Sequence, residues 1–348
     1  MIYKEKILES IVKDFFDTNI IKDDDILIIA LSGGQDSMCL FDAFYRLQSE
    51  KNYKIIAIHI NHSIREHEAD RDEAFVKDYC KSFNIDLINK KVDAISYAKE
   101  KNLTLEEAAR KLRYDALENE WKKISIKNTN NDVYILVAHH EKDQVETIIH
   151  NMIRGTGLKG LAGMKKINGN ILRPLLNVKK EDIEKYIDRY NIPYVTDSTN
   201  ADIAYTRNYI RKEIVDKLIN LNKKACDHIV ELSNMSLEVN DFLEHEGKKL
   251  LESITIDKTD KKTSIDLKKF RLRNKVLKKE IVREILQNLA NTLKDITKIN
   301  INDIIELSNK DSGGHLDLPY NITVDKKQNE LTFTKNDNNI SMSRRKKK

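Results

Sequence analysis

The chain has 348 residues, of which 34% are charged and 40% hydrophobic, a balance that suits a globular protein with room for two cores. No apolar run reaches the length of a membrane span, the start MIYKEKILES has no leader pattern, and Cys39, Cys80 and Cys226 stand far apart without a CxxC pair. These features argue against a membrane protein, a disulfide scaffold and a cysteine-held metal centre, and make the cytoplasm the expected compartment. The last five residues, RRKKK, account for the whole formal charge of +5, so bulk charge is no argument for a nucleic-acid partner.

From the N-terminus, Ile7, Ile11 and Phe15 fall on one helical face. Residues 26–31, ILIIAL, are too short for a typical helix and suit a parallel strand covered on both faces. They end in Ser32, Gly33, Gly34, Gln35, Asp36 and Ser37, and a helical pattern follows through Met38, Leu40, Phe41 and Phe44. A glycine pair between strand and helix leaves backbone N–H groups open to an anion, so the loop reads as a phosphate cradle. It is no Walker A loop, because it holds no lysine. Its charged member is Asp36, which makes sense beside phosphate if Mg²⁺ lies between them.

Further strand patterns lie at 54–60, 85–92 and 133–138, with amphipathic helices at 66–83 and 103–124; the second helix is capped by Thr104 with Glu107 three residues on. This alternation predicts an α/β fold, a doubly wound, Rossmann-like parallel sheet whose ligands bind beyond the strand ends. The loops 32–37, 59–63 and 138–144 should therefore converge on one crevice. His139 and His140 are adjacent in extended chain and point to opposite faces, which disfavours a two-histidine metal site. Asp143 and Glu146 share a helical face, for chemistry or for helix-dipole compensation. Arg110 and Arg113 also share a face, suited to a phosphate or to a structural ion pair. Arg154, Gly155, Thr156 and Gly157 form RGTG, whose glycines allow close approach of a nucleotide or RNA. Arg207, Asn208 and Arg211 read as phosphate contacts or as a helix start at a domain junction.

After residue 212 long charged helical patterns take over, and short strand patterns close the chain at 315–319, 321–325 and 330–335. The expected division is 1–212, then a smaller, mainly helical domain at 213–335, then a disordered basic tail at 336–348. Residues 258–279 hold ten Lys/Arg against Asp260 and Asp266. Lys268, Lys269, Arg271 and Arg273 are thus either a solvated helix face or contacts to an RNA backbone.

SGGQDS after a buried strand resembles the PP-loop of the N-type ATP pyrophosphatases. Further blocks resemble the tRNA(Ile)-lysidine synthase family: HINHSIREHEADRDEAFV with His59, Asn61, His62 and Arg65, LTLEEAARKLRY with Glu107, Arg110, Arg113 and Tyr114, AHHEKDQVETIIHNMIRGTGLKGLAGM, RPLL at 173–176, and DSTNADIAYTRNYIR at 197–211. The resemblance implies ATP as substrate, bound by residues 32–37 with His59, Asn61 and His62, and Mg²⁺ on Asp36. It implies catalytic roles for Asp36, Arg110, Arg113, Asp143 and Glu146, with His140, Asp143 and Glu146 around free L-lysine. The partner implied is an isoleucine tRNA with a CAU anticodon, whose wobble cytidine is adenylated at the C2 oxygen and then attacked by the lysine ε-amine, releasing pyrophosphate and AMP. For Asp143, metal and amine roles both remain open.

Two departures stand out. Lys142 replaces an acidic residue usual before the glutamine, and the chain leaves no room for the extra C-terminal domain of many longer members. Another PP-loop RNA modifier, such as a cytidine thiolase, is the nearest rival, opposed by the scattered cysteines. GMP synthetase-like or argininosuccinate synthetase-like amination lacks the later motifs, and a catalytically dead binder is opposed by intact Asp36, Arg110 and Arg113. Oligomeric state is left open.

Overall fold

The computed structural model describes residues 5–63, 66–196 and 206–337. Arg65, residues 197–205 of the DSTN block and the terminal basic run lie outside them. The chain divides into two compact units, Met1–Met235 and Ser236–Lys348.

The first unit opens with α1 (Lys6–Ile11), continued by a π-helical turn at Val12–Phe16, then β1 (Ile26–Ala30), α2 (Gln35–Leu47), β2 (Lys54–Asn61), α3 (Glu66–Ser82) and β3 (Asp86–Lys91). Next come α4 (Ala94–Lys101), α5 (Leu105–Lys127), β4 (Val133–Leu136), α6 (Glu141–Ile153), α7 (Leu158–Leu161), β5 (Ile167–Asn168), β6 (Ile171–Leu172) and α8 (Lys180–Tyr190). The unit closes with α9 (Thr206–Tyr209), a π-helical segment at Ile210–Val215, α10 (Asp216–Leu221) and the first part of α11 (Ala225–Ile254).

The sheet order is β3-β2-β1-β4-β6-β5, and every pair is parallel except the β5–β6 hairpin. Alternation along β1 explains its unbroken apolar run. Leu27, Ile29 and Leu31 join Phe15, Phe41, Phe44 and Tyr186 in one cluster, while Ile26 and Ile28 join Ile56, Ile58, Leu117 and Ile135 in another. Burial on both faces holds the β1 end rigid, and β1 and β4 deliver the phosphate loop and the two histidines side by side. The predicted cap of α5 is present, with the Glu107 N–H donating to Thr104 Oγ1 at 3.2 Å and the Thr104 N–H to Glu107 at 3.1 Å.

The unit boundary falls inside α11, beyond the expected 212. The reason is apolar: Ile210, Val215 and Cys226 bury themselves with Val145 and Ile149 of α6, so this stretch remains part of the first core.

The second unit holds the rest of α11, β7 (Thr255–Thr259), β8 (Lys262–Asp266), α12 (Leu267–Arg271), α13 (Lys275–Ala290), α14 (Lys298–Asn309), β9 (Gly314–Leu318), β10 (Ile322–Lys326) and β11 (Glu330–Lys335). Its strands form one antiparallel sheet, β7-β8-β11-β10-β9. Ile265, Ile322, Val324, Leu331 and Phe333 pack with Ile281, Val282, Ile285, Leu286 and Ile304 of the helices. The start of the basic 258–279 stretch is therefore a hairpin and not a helix. Thr263 and Ile265 are buried β-branched residues on β8, and they outweigh the helical reading of the neighbouring lysines.

Candidate active site

The loop after β1 is shaped as an anion cradle. Gly33 adopts φ +88°, and a Cβ there would lie 2.9 Å from Val195 Cγ2, so both backbone conformation and close packing require glycine. Its carbonyl accepts from the Val195 N–H at 3.0 Å. Gly34 caps α2 without a side chain, which leaves the first N–H groups of that helix facing the loop. Ser37 Oγ donates to the Gly34 carbonyl at 2.9 Å and lies 3.0 Å from Ser32 Oγ, so both hydroxyls border the same turn.

Asp36, in the first turn of α2, meets a cation that the sequence reading did not single out. Lys180 Nζ donates to Asp36 Oδ1 at 2.5 Å from the start of α8. A lysine at a helix N-terminus opposes the helix dipole, which is the local signal that its partner lies elsewhere. The other Asp36 oxygen lies 3.6 Å from His140 Nε2, and Asp143 lies 3.7 Å from the same nitrogen. His140 Nδ1 accepts the Lys142 N–H at 3.2 Å, so the neutral ring carries its proton on Nε2, between the two carboxylates. Lys142, the departure from the family pattern, pairs with Glu181 at 3.6 Å.

Asp143 and Glu146 share one helical face as expected, and both meet Arg211. Arg211 Nε donates to Glu146 Oε1 at 2.5 Å, and Nη2 to Glu146 Oε2 at 3.2 Å and to Asp143 at 3.5 Å. Arg211 is thus a fork on two carboxylates, where a phosphate contact was expected. Burial, partly offset by Arg211, raises the Glu146 pKa above the usual carboxylate range. Asp143 goes the other way: burial raises its pKa, but the adjacent His140, through its ring and its backbone N–H, and Arg211 outweigh that and lower it. Gln144, between them, is structural; its Nε2 donates to Met164 O at 3.1 Å and its Oε1 accepts the Met164 N–H at 2.7 Å.

On α5, Arg110 and Arg113 lie 5.1 and 5.6 Å from the Tyr114 ring centre. Burial, with Arg207, Arg113 and Arg173 nearby, lowers the Arg110 pKa. Arg173, named by the sequence only within RPLL, is buried, and its Nη1 donates to Lys165 O at 2.8 Å. His139 is held neutral, its pKa depressed to about 3 by burial, opposed by Asp143 and reinforced by Arg113, Arg173 and Arg110. His62 is held down to about 4, again by burial and by Arg113.

Other expected contacts face inward. His59 Nδ1 donates to the Leu31 carbonyl at 2.9 Å, bracing the loop from behind. The Asn61 amide is used up by Asp70 at 3.3 Å, Glu73 at 3.0 Å and the Ser63 N–H at 2.9 Å. Arg154, Gly155, Thr156 and Gly157 are exposed, beside exposed Met152, Ile153 and Leu158. Arg207 Nη2 donates to Thr147 at 3.3 Å and Nε lies 4.0 Å from Glu106, while Asn208 sits in the same helical turn, α9. In the second unit Lys268 and Lys269 are exposed, but Arg271 caps α14 by donating to Ser308 O at 2.6 Å and Lys310 O at 2.7 Å. Arg273 Nε is buried without a hydrogen-bond partner among the described residues. No group of three or more His, Cys, Asp or Glu is arranged as a metal cage among the described residues, and no helix there is long and apolar enough to cross a membrane.

A parallel sheet with a glycine cradle at the β1 end and an acid in the following helical turn defines a PP-loop nucleotide-handling domain. The PP-loop domain family matches residues 4–218. The curated tRNA(Ile)-lysidine synthase of Caldanaerobacter subterraneus subsp. tengcongensis is 31% identical over 334 residues, covering 95% of this chain and 69% of that one. The synthase of Clostridioides difficile is 33% identical over 333 residues, covering 95% and 70%. The chain belongs to the tRNA(Ile)-lysidine synthase family. It spans 64% of the length of the Clostridium tetani relative, which is 34% identical over 307 residues. Among solved structures, the U34-tRNA thiolase NcsA from Methanococcus maripaludis with its 4Fe-4S cluster matches with TM-score 0.53 at 17% identity, over 68% of this chain and 80% of that chain, a likeness of fold alone.

Proposed function

We propose that the chain is an ATP-using ligase that converts the wobble cytidine of an isoleucine tRNA with a CAU anticodon to lysidine, taking free L-lysine as the amine. One observation carries this reading: the phosphate loop and an amino-acid-like site of fixed charges adjoin through His140. A lysine molecule offers an ammonium, and Asp143 and Glu146 present carboxylates to it in one cluster held by Arg211.

In the first step the cytosine O2 attacks the α-phosphorus of ATP, the α–β bridging P–O bond breaks, and pyrophosphate remains on the N–H groups of α2 with Ser32 and Ser37. Arg110 and Arg113 face the charge that develops on the α-phosphoryl oxygens. In the second step the ε-amine attacks C2, the C2–O bond breaks, and AMP leaves. The amine must lose a proton, and Glu146, a buried carboxylate whose pKa burial raises, is the proposed acceptor. His140 holds its Nε2 proton between the two half-sites. The residues fit Mg²⁺, which takes one or two carboxylates and completes its shell with phosphate and water; Asp36 and Asp143 would hold it, and it would neutralise triphosphate charge. Residues 154–157, Arg207, Asn208, Lys268, Lys269 and Arg273 are proposed tRNA contacts. Arg211 and Arg271 leave that set because their donors are committed to protein oxygens.

The thiolase reading is disfavoured by Cys39, Cys80 and Cys226, all buried with thiol pKa values raised by burial. The test is direct: incubate the protein with tRNA, ATP and labelled lysine, then digest the RNA and identify the nucleoside. Label in a cytidine-derived nucleoside, with one AMP and one pyrophosphate per modification, is the expected result. Unlabelled RNA with intact cytidine would reject the proposal.

A further inference from the structure

We infer that Arg173, with Arg110 and His139, forms a second oxyanion pocket that takes a phosphate group other than the pyrophosphate held by residues 32–37. The inference rests on the proposed ATP- and tRNA-dependent reaction, which brings two such phosphates to the site. These are the nucleotide α-phosphate and a backbone phosphate beside the modified cytidine.

The pocket begins with the extended backbone at the end of β4. His140 there has φ −123° and ψ −177°, so it and His139 project to opposite sides. His140 goes to Asp36. His139 is held neutral first by its burial, which outweighs the opposing pull of Asp143, and Arg113, Arg173 and Arg110 act in the same sense as burial. Arg173 directly follows Leu172, which pairs with Leu136 and accepts the Val137 N–H at 3.1 Å at the end of β4, and Arg207, Arg113 and Arg173 add to burial in lowering the Arg110 pKa. Like charges are not brought together under cover without an anion to meet them.

The hydrogen bonding shows the same gap. Arg110 Nη1, Arg173 Nε, Tyr114 Oη and His139 Nδ1 are all buried without a hydrogen-bond partner among the described residues. Arg173 is only 6% exposed, and its Nη1 bond to the Lys165 carbonyl fixes the guanidinium while leaving Nε unused. A buried guanidinium with idle donors is costly unless a ligand completes it. Buried N–H and O–H donors without partners, on residues that carry positive charge, match a tetrahedral phosphate oxyanion. Arg173 has no other described task that uses its charge.

The experiment compares Arg173→Gln, Arg173→Lys and Arg110→Gln in the full chain, by calorimetric binding of AMP and of pyrophosphate, by tRNA binding over a salt series, and by the KM for lysine. Arg110→Gln removes a donor with no described protein partner, so it decides the matter if Arg173→Gln loses its fold. If the pocket holds the nucleotide phosphate, AMP affinity falls on the order of 10-fold or more in both glutamine variants. Pyrophosphate affinity stays unchanged, and Arg173→Lys recovers part of the AMP loss. If it holds an RNA phosphate, AMP binding is unchanged and the slope of log K against log salt falls by about 0.7–0.9 per variant. Unchanged AMP and tRNA binding in folded variants, or an effect confined to the KM for lysine, overturns the inference. Failure of the ligase reading would show instead as no lysine incorporation by the unaltered protein, with AMP and pyrophosphate binding still readable.

Discussion

Asp36 carries the most informative single substitution. Its carboxylate is shared between Lys180 and the edge of the buried His140 ring, and Asp36 and Lys180 are themselves partly exposed. Asp36→Asn should therefore cost less than about 1 kcal/mol of stability, the usual range for such pairs. Adenylation, read as tRNA-dependent pyrophosphate release, should fall by on the order of 10²-fold or more; near-normal release would remove Asp36 from the mechanism. Glu146 separates the two steps. If it serves the amine, Glu146→Gln raises the KM for lysine and lets adenylated tRNA accumulate while pyrophosphate release persists. Loss of that release would assign Glu146 to adenylation, and the same assay on Asp143→Asn decides between metal and amine. His62 gives a pH signature. Its pKa is about 4 in the folded protein against 6.5 ordinarily, so the unfolded chain binds the proton first as pH falls. Stability is thus lost between these values, by about 1.4 kcal/mol per pH unit at the limit. Urea melts at pH 7 and pH 5 should converge in His62→Gln relative to the unaltered protein, and an equal pH loss in both would refute the assignment.

At the scale of elements, the turn from β1 into α2 is the piece with least tolerance. Gly33→Ala meets two obstacles, a φ of +88° and Val195 Cγ2 at 2.9 Å, so the loop must shift to admit one methyl. We expect a stability loss of about 1–2 kcal/mol, and a larger loss of pyrophosphate affinity because the N–H groups of α2 are displaced. A Gly33→Ala protein with unaltered pyrophosphate affinity would show that the cradle does not depend on this turn. The adjoining strands were legible because their apolar runs are long and bounded by turn residues. β5 and β6 were not, because two residues carry no period. The β7–β8 hairpin was masked by its lysines, whose stems lie along a strand as readily as along a helix.

For the whole molecule the clearest observable is the salt dependence of tRNA binding. Neutralising exposed Lys268 and Lys269 should lower its slope by about 0.7–0.9 per contact, whereas an unchanged slope makes them solvated residues only. Arg271→Gln should instead destabilise the second unit, because it uncaps α14. The two units also show where sequence patterning stops. The alternation of strands and helices along the first unit, the phosphate loop, the cap of α5 and the shared face of Asp143 and Glu146 all follow from short-range rules. Such rules act within a few residues of chain: turn chemistry, period and capping. The meeting of Lys180 with Asp36, of Arg211 with Glu146, and of Arg173 with His139 and Arg110 joins segments tens to well over a hundred residues apart. No local period encodes those encounters. They arise when apolar burial stacks α2, α5 and α8 on one sheet and α6 against residues 210–226, and charged side chains near the strand ends take whichever partners that packing brings within reach.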